Sequence, residues 1–196
     1  MQKKFVTNLG LVLLLNLLIK PYWIIGIDRN VQIAVDTEQY GFYYAIFSFS
    51  FILNILLDFG ITNFNNKNIS QNNHLLSKHL SSIIVLRIML AVIFALVTFS
   101  VGLLIDYTPD MMKMLVAVIF NQILLGFILY LRSNLAGLHL FKTDSIVSVL
   151  DRLIMIAICS YLLMLHRQGG EFNITWFVYS QTIAYVITTF ITLVVV

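Results

Sequence analysis

Residues 83–105 read IIVLRIMLAVIFALVTFSVGLLI, an apolar run interrupted by one charge, Arg87. At a helical rise of 1.5 Å such a run covers a bilayer core of about 30 Å, and it lacks the polar face that a helix on a soluble domain keeps toward water. Comparable runs recur at Leu9–Ile27, Phe42–Ile61, Met114–Leu135, Ile146–Leu165 and Ile174–Val196. Together with Ile83–Ile105 they predict an all-α membrane protein, a single bundle of six transmembrane helices over residues 1–196. The composition agrees: 60% of the residues are hydrophobic, 11% are charged and the mean hydropathy is +0.92, where soluble domains carry roughly a quarter charged residues. A membrane barrel would read as alternating segments of about ten residues, a pattern at odds with these continuous runs.

Basic residues favour the cytoplasmic side of a membrane. With the N-terminus inside, Lys3, Lys4, Lys67, Lys78, Arg87, Arg132, Lys142 and Arg152 fall in or near the inner surface, and only Arg29, Lys113 and Arg167 fall outside. Six spans then return the C-terminus to the cytoplasm. The net charge of +3 follows from this topology and gives no reason to expect nucleic acid as a partner. The lysines before the first run suggest a secretory leader, but the run continues into Lys20-Pro21 without a small-residue cleavage pattern, so it reads as a retained span. The polar stretch Asn63–Ser82 reads as the cytoplasmic loop between spans two and three, and Asp28–Gln39 as the outer loop before span two. Pro109 and Gly169-Gly170 punctuate the remaining outer turns. The chain stops inside an apolar run, at Val196, as a truncated product or one part of a longer protein would.

Ionisable residues inside a membrane are costly, and they face a cavity or a partner. Lys20 stands about twelve residues into span one, roughly 18 Å from its inner end. Asn16, Lys20 and Trp23 share one helical face by their spacing. Pro21 predicts a kink beside the cation. Two readings follow: Lys20 lines a wet cavity, or it snorkels to the outer surface. Asp58, near the inner end of span two, and Arg87, at similar depth in span three, are expected to neutralise each other as an inner-gate ion pair; Asp151 and Arg152 are expected at the inner interface. No other span carries an acid near mid-depth on this reading. Small residues on span three (Ala91, Ala95, Gly102) and span four (Gly126, Ser133, Gly137) predict close helix packing. On span six, Gln181, Tyr185, Thr188 and Thr192 form a polar stripe that suits either a wet cavity or an interhelical seam. The histidines have no metal-ligand spacing, the single Cys159 has no partner for a disulfide, and no phosphate loop or nucleophile elbow occurs. No catalytic residues, metal or cofactor are therefore expected, and the chain does not read as an enzyme.

Three short motifs add a family. Asp36-Thr-Glu-Gln-Tyr-Gly41 opens span two, Leu57-Asp-Phe-Gly-Ile61 closes it, and Lys67-Asn-Ile-Ser70 follows. With Lys3-Lys4 and Asn8 ahead of span one, this order resembles bacterial polysaccharide (O-antigen or capsule) flippases of the multidrug/oligosaccharidyl-lipid/polysaccharide exporter superfamily. The resemblance implies the N-terminal half of an exporter built from two six-helix bundles around a central cavity, with the second bundle absent. It implies an inner-membrane protein that flips a polyprenyl-pyrophosphate-linked oligosaccharide, with a second six-helix half or the polysaccharide assembly machinery as partner. On that implication Lys20 meets the pyrophosphate, Arg29 stands at the outer mouth, and Asn16 and Gln181 line the cavity. The alternatives are a non-transporting membrane subunit or remnant, and a cation-coupled drug exporter of the same superfamily.

Overall fold

The computed structural model describes the backbone of residues 2–72, 74 and 76–196, and the side chains of 10, 12–72, 74, 76 and 80–196. The side chains of Lys3, Lys4, Asn8, Asn73, Lys78 and His79 lie outside the described residues. Eight α-helices occur among the described residues, with no strand: α1 (Gln2–Tyr22), α2 (Arg29–Ala34), α3 (Thr37–Ile52), α4 (Ile61–Gln71), α5 (Leu76–Leu104), α6 (Pro109–Gly137), α7 (Phe141–Arg167) and α8 (Ile174–Val195). Five helices among the described residues are long and apolar enough to cross a membrane: Thr37–Leu57, Leu80–Leu104, Pro109–Gly137, Phe141–Arg167 and Ile174–Val195. The protein is a multi-pass membrane protein. The first predicted span is not one of these five; it falls within a helical rod that runs from Gln2 to Ala34.

Pro21 does not interrupt that rod. A proline lacks the N–H that would bond four residues back, and its ring crowds that carbonyl. Here the strain is absorbed by a π-helical segment, Trp23–Asp28, that begins two residues later and passes into α2 with helical backbone angles on both sides. Widened turns of this kind relieve a misfit without breaking a helix. The predicted outer loop Asp28–Gln39 is correspondingly short. Helix persists to Ala34, and the chain reverses at Val35–Asp36, where Asp36 takes a positive φ of 75° and its carboxylate accepts the Thr37 N–H at 2.6 Å. That bond starts α3.

The predicted cytoplasmic loop Asn63–Ser82 is also mostly helix. Span two ends in a 3-10 turn, Leu53–Leu57, and a break through Phe59 and Gly60, whose φ of 83° suits glycine. Helix then resumes as α4. Asp58 accepts from the Thr62 N–H at 3.1 Å and from its hydroxyl at 2.5 Å, which caps the new helix. The pairs Asn54–Gln122 and Asn65–Ser133 both join residues 68 apart, at 3.0 and 2.8 Å, and Ile69 meets Gly137 at the same offset. A constant offset means that α3 and α4 together run parallel to α6 at a matched rise, despite the break between them. The polar segment is helical because α6 extends beyond the apolar run and supplies partners for Asn65 and Ile69, which hydropathy alone cannot reveal.

The central element is α6, which packs against α3, α4, α5, α7 and α8. It starts with Thr108 accepting from the Met111 N–H at 3.4 Å, with Pro109 in the first turn. Helix α8 starts in the same way, with the Asn173 side chain accepting from the Trp176 N–H at 3.2 Å. Helix α5 is inverted relative to a soluble helix: Arg87, Ala91, Phe94 and Thr98 are buried, while Val85, Ile88, Met89, Val92 and Leu96 are exposed. Small and polar side chains turn inward and large apolar ones outward, as expected where lipid is the solvent and helices associate through close packing and hydrogen bonds.

Candidate functional site

The end of the bundle that carries Asp36, Thr108 and Asn173 holds a cavity of about 180 Å³ between the first rod, α3, α7 and α8. Asp28 comes from the π-helical segment, Tyr40 and Tyr43 from the first two turns of α3, Arg152 from α7, and Gln181 and Tyr185 from α8. The Tyr40 hydroxyl donates to the Asp28 carboxylate, with oxygens at 2.8 and 2.9 Å. The Arg152 guanidinium stands 5.5 Å over the Trp23 ring, and its Nε is 3.6 Å from Asp151. Gln181 donates to the Tyr43 hydroxyl at 2.8 Å. Trp23 stacks on Phe177 and Tyr43 meets the same ring edge-on, which closes one wall.

Asp28 lies one residue beyond the predicted first span. Its carboxylate shares the cavity lining with the Arg152 guanidinium. Two carboxylates, Asp28 and Asp151, face one guanidinium, so the cavity is not an anion site. Its volume matches about six water molecules at roughly 30 Å³ each, too little for a sugar chain. What the arrangement does is tie the first rod, α3, α7 and α8 together through polar bonds at one end of the bundle.

The expected site residues therefore separate. Gln181 lines this cavity. Asn16 is half-buried, and its amide donates to the Val12 carbonyl at 2.8 Å and reaches Ser148 on α7 at 3.5 Å. Lys20 and Arg29 are exposed, and neither has a carboxylate partner among the described residues. Trp23 is buried against Phe177, Asn16 is half-buried, and Lys20 between them is exposed. The aromatic ring finds a complementary partner in the core and the ammonium does not. Asp151 and Arg152, expected at the inner interface, lie on α7 with Arg152 about 16 Å from its start at Phe141, and Asp151 is 8% exposed.

At the other end of the span, Arg87 and Asp58 come together. Arg87 is 3% exposed, and its Nη2 donates to the Asp58 carboxylate and, at 2.5 Å, to Thr62 Oγ1. Its Nη1 donates to the Gly126 carbonyl at 3.1 Å and the Leu57 carbonyl at 3.4 Å, and the guanidinium lies 5.2 Å from the Tyr130 ring centre. Leu57 ends the 3-10 turn, so its carbonyl has no helical partner. A cation here satisfies a backbone group that the helix break set free, as a membrane interior requires. A second ion pair, Arg132 to Asp144 at 2.7 Å, joins α6 to α7. Sequence reading missed it, along with Asp28, Tyr40 and Tyr43; the spacing of Tyr40 and Tyr43 put both on one helical face, but Asp28 was placed in a loop with no fixed direction.

The profile of a family described as polysaccharide biosynthesis protein matches residues 30–196. The chain belongs to that family. No curated protein and no solved structure gives a significant match. Membership of the polysaccharide biosynthesis protein family agrees with the resemblance carried by the three motifs around span two, all of which lie within the matched residues. The match also covers Asp58, Arg87, Arg152 and Gln181, whereas Asn16, Lys20 and Arg29 precede it.

Proposed function

We propose that this chain forms a six-span bundle along which a polyprenyl-pyrophosphate-linked oligosaccharide is flipped across the bacterial inner membrane. Gln2–Ala34 supplies the first span, both termini are cytoplasmic, and the Asp36 end faces outward. The observation that carries the reading is Lys20, exposed on α1 with Leu13, Leu14, Leu17 and Leu18 exposed around it and no carboxylate beside it among the described residues. An ammonium turned toward lipid at that depth costs about 3 kcal/mol on insertion scales. The cost disappears if this face of α1 borders a water-filled passage shared with a second bundle, where the cation meets the pyrophosphate while the lipid tail stays in the bilayer. Arg29, also exposed, extends the cationic path toward the outer mouth. Asn16 and Gln181, whose amides already bond to neighbouring groups, hold helices rather than sugar.

The test is surface polysaccharide in a strain dependent on this protein. Lys20→Ala, at unchanged membrane level, is expected to lower export by about tenfold or more, in line with loss of a charge-assisted contact, and Lys20→Arg to keep it. A cysteine at position 20, with Cys159 changed to Ser, is expected to react with a water-soluble thiol reagent. Normal export by the alanine variant, or a cysteine inert from both sides, removes the passage role.

A further inference from the structure

A second cavity, about 600 Å³, is distinct from the site above and has no residue of the first rod in its lining. It is a groove at the Asp36 end, with α6 as its floor and α3 and α8 as its walls. From Thr108 to Ala117 the floor descends nine residues, about 13 Å, close to half the thickness of a bilayer core of roughly 30 Å. Polarity is sorted along that depth. Glu38, Asp110 and Lys113 occupy the rim, and Phe42, Ala117 and Val178 lie below them. An aqueous solute would leave the lower part unsatisfied and a plain hydrocarbon would leave the rim so. A molecule with a charged head and an apolar tail of single-leaflet length fits both.

The rim charges narrow the head group. Lys113 Nζ lies 3.1 Å from Asp110 with both side chains mostly exposed, and Glu38 has no cationic partner among the described residues. The rim thus offers one uncompensated carboxylate a short way from an ammonium. Placement in the first turns of α3 and α6 accounts for Glu38 and Asp110 on dipole grounds, but not for the apolar groove beneath them. We propose that this groove binds a phosphatidylethanolamine-type lipid of the leaflet at the Asp36 end, its primary ammonium on Glu38, its phosphate toward Lys113 and one acyl chain over Ala117 and Val178. Phosphatidylcholine lacks the N–H donors for Glu38, and phosphatidylglycerol brings no cation to a rim of net negative charge. The inference needs only that the chain spans a membrane and does not depend on the flipping reading.

Native mass spectrometry of the delipidated full chain, with each of the three lipids added in turn, tests it. Retention of phosphatidylethanolamine about tenfold above the other two is expected, the scale of one charge-assisted bond. Glu38→Gln, an exposed change that leaves packing untouched, is expected to erase that preference, and Ala117→Phe to lower retention of all three lipids. Thr175→Phe, at an exposed lining position on α8, provides a second steric block should the α6 variant fold poorly. Equal retention of the three lipids, a preference that survives Glu38→Gln, or a lipid-free dimer with the groove covered by a second copy would each overturn the assignment.

Discussion

Arg87 meets four acceptors on three different segments: the Asp58 carboxylate and Thr62 hydroxyl around the helix break, the Leu57 carbonyl within it, and the Gly126 carbonyl on α6. Removing the guanidinium leaves the Leu57 carbonyl without a donor and strips the half-buried Asp58 carboxylate of its counter-charge, with only the Thr62 bonds remaining. Arg87→Leu is therefore expected to destabilise the bundle by about 3 kcal/mol, measured by thermal unfolding in detergent. Asp58→Asn alone strands a buried cation and is expected to be costly too. The double variant should lose less than the sum of the two, by about 1–3 kcal/mol, because each single change isolates a charge that the double change removes. The Asp58–Arg87 contact was anticipated from depth alone, since both residues lie near the same end of neighbouring spans. The Gly126 and Leu57 carbonyls were not: Leu57 is freed by the helix break, and Gly126, within α6, offers its second lone pair because it has no side chain to cover the carbonyl.

At the level of elements, the α4–α6 seam depends on how closely two backbones approach. A methyl group on Gly137 would fall 2.8 Å from Ile69 Cβ and 3.1 Å from the Asn66 carbonyl oxygen, neither of which can rotate away. Gly137→Ala is expected to push α4 off α6 and cost about 1–3 kcal/mol, with the Asn65 bonds to Ser133 and Asn134 weakened in step. The small-residue stripe through Gly126, Ser133 and Gly137 was legible as a packing face, but its partner was not. The sequence suggested a floppy cytoplasmic loop where α4 lies. Its asparagines read as solvated until Ser133 and Asn134 are placed opposite Asn65. The first rod shows the converse. Helix continues past Pro21 into a π-helical turn that directs Trp23 into the core and Asp28 toward Tyr40.

For the whole molecule, the reading of six spans requires the ends of the bundle to alternate across the membrane. Single cysteines at Thr37, Gln168 and Asp106, all exposed, in a Cys159→Ser background, are expected to react with an impermeant reagent in intact cells. Cysteines at Asn72 and His139 should react only after the membrane is opened. Tags at both termini should be cytoplasmic. An N-terminal tag reachable from outside would mean that the rod Gln2–Ala34 does not cross and that the spans number five.

Membrane class, helical content and the approximate place of five spans were determined by the sequence itself. A backbone in hydrocarbon has to bond within its own segment, so a long apolar run has only one regular conformation open to it. The family was within reach too, because its motifs sit at the ends of span two, where chain direction constrains residue type. Only the tertiary structure decided that Trp23 and Lys20 part company, that Arg152 stands over Trp23 near Asp28, and that a polar segment continues as helix along α6. Each of these depends on which side chain a neighbouring helix presents at a given height. Hydropathy fixes that a helix lies in the membrane, but its rotation and its partners follow from interhelical hydrogen bonds and close contacts made by residues far apart in the chain.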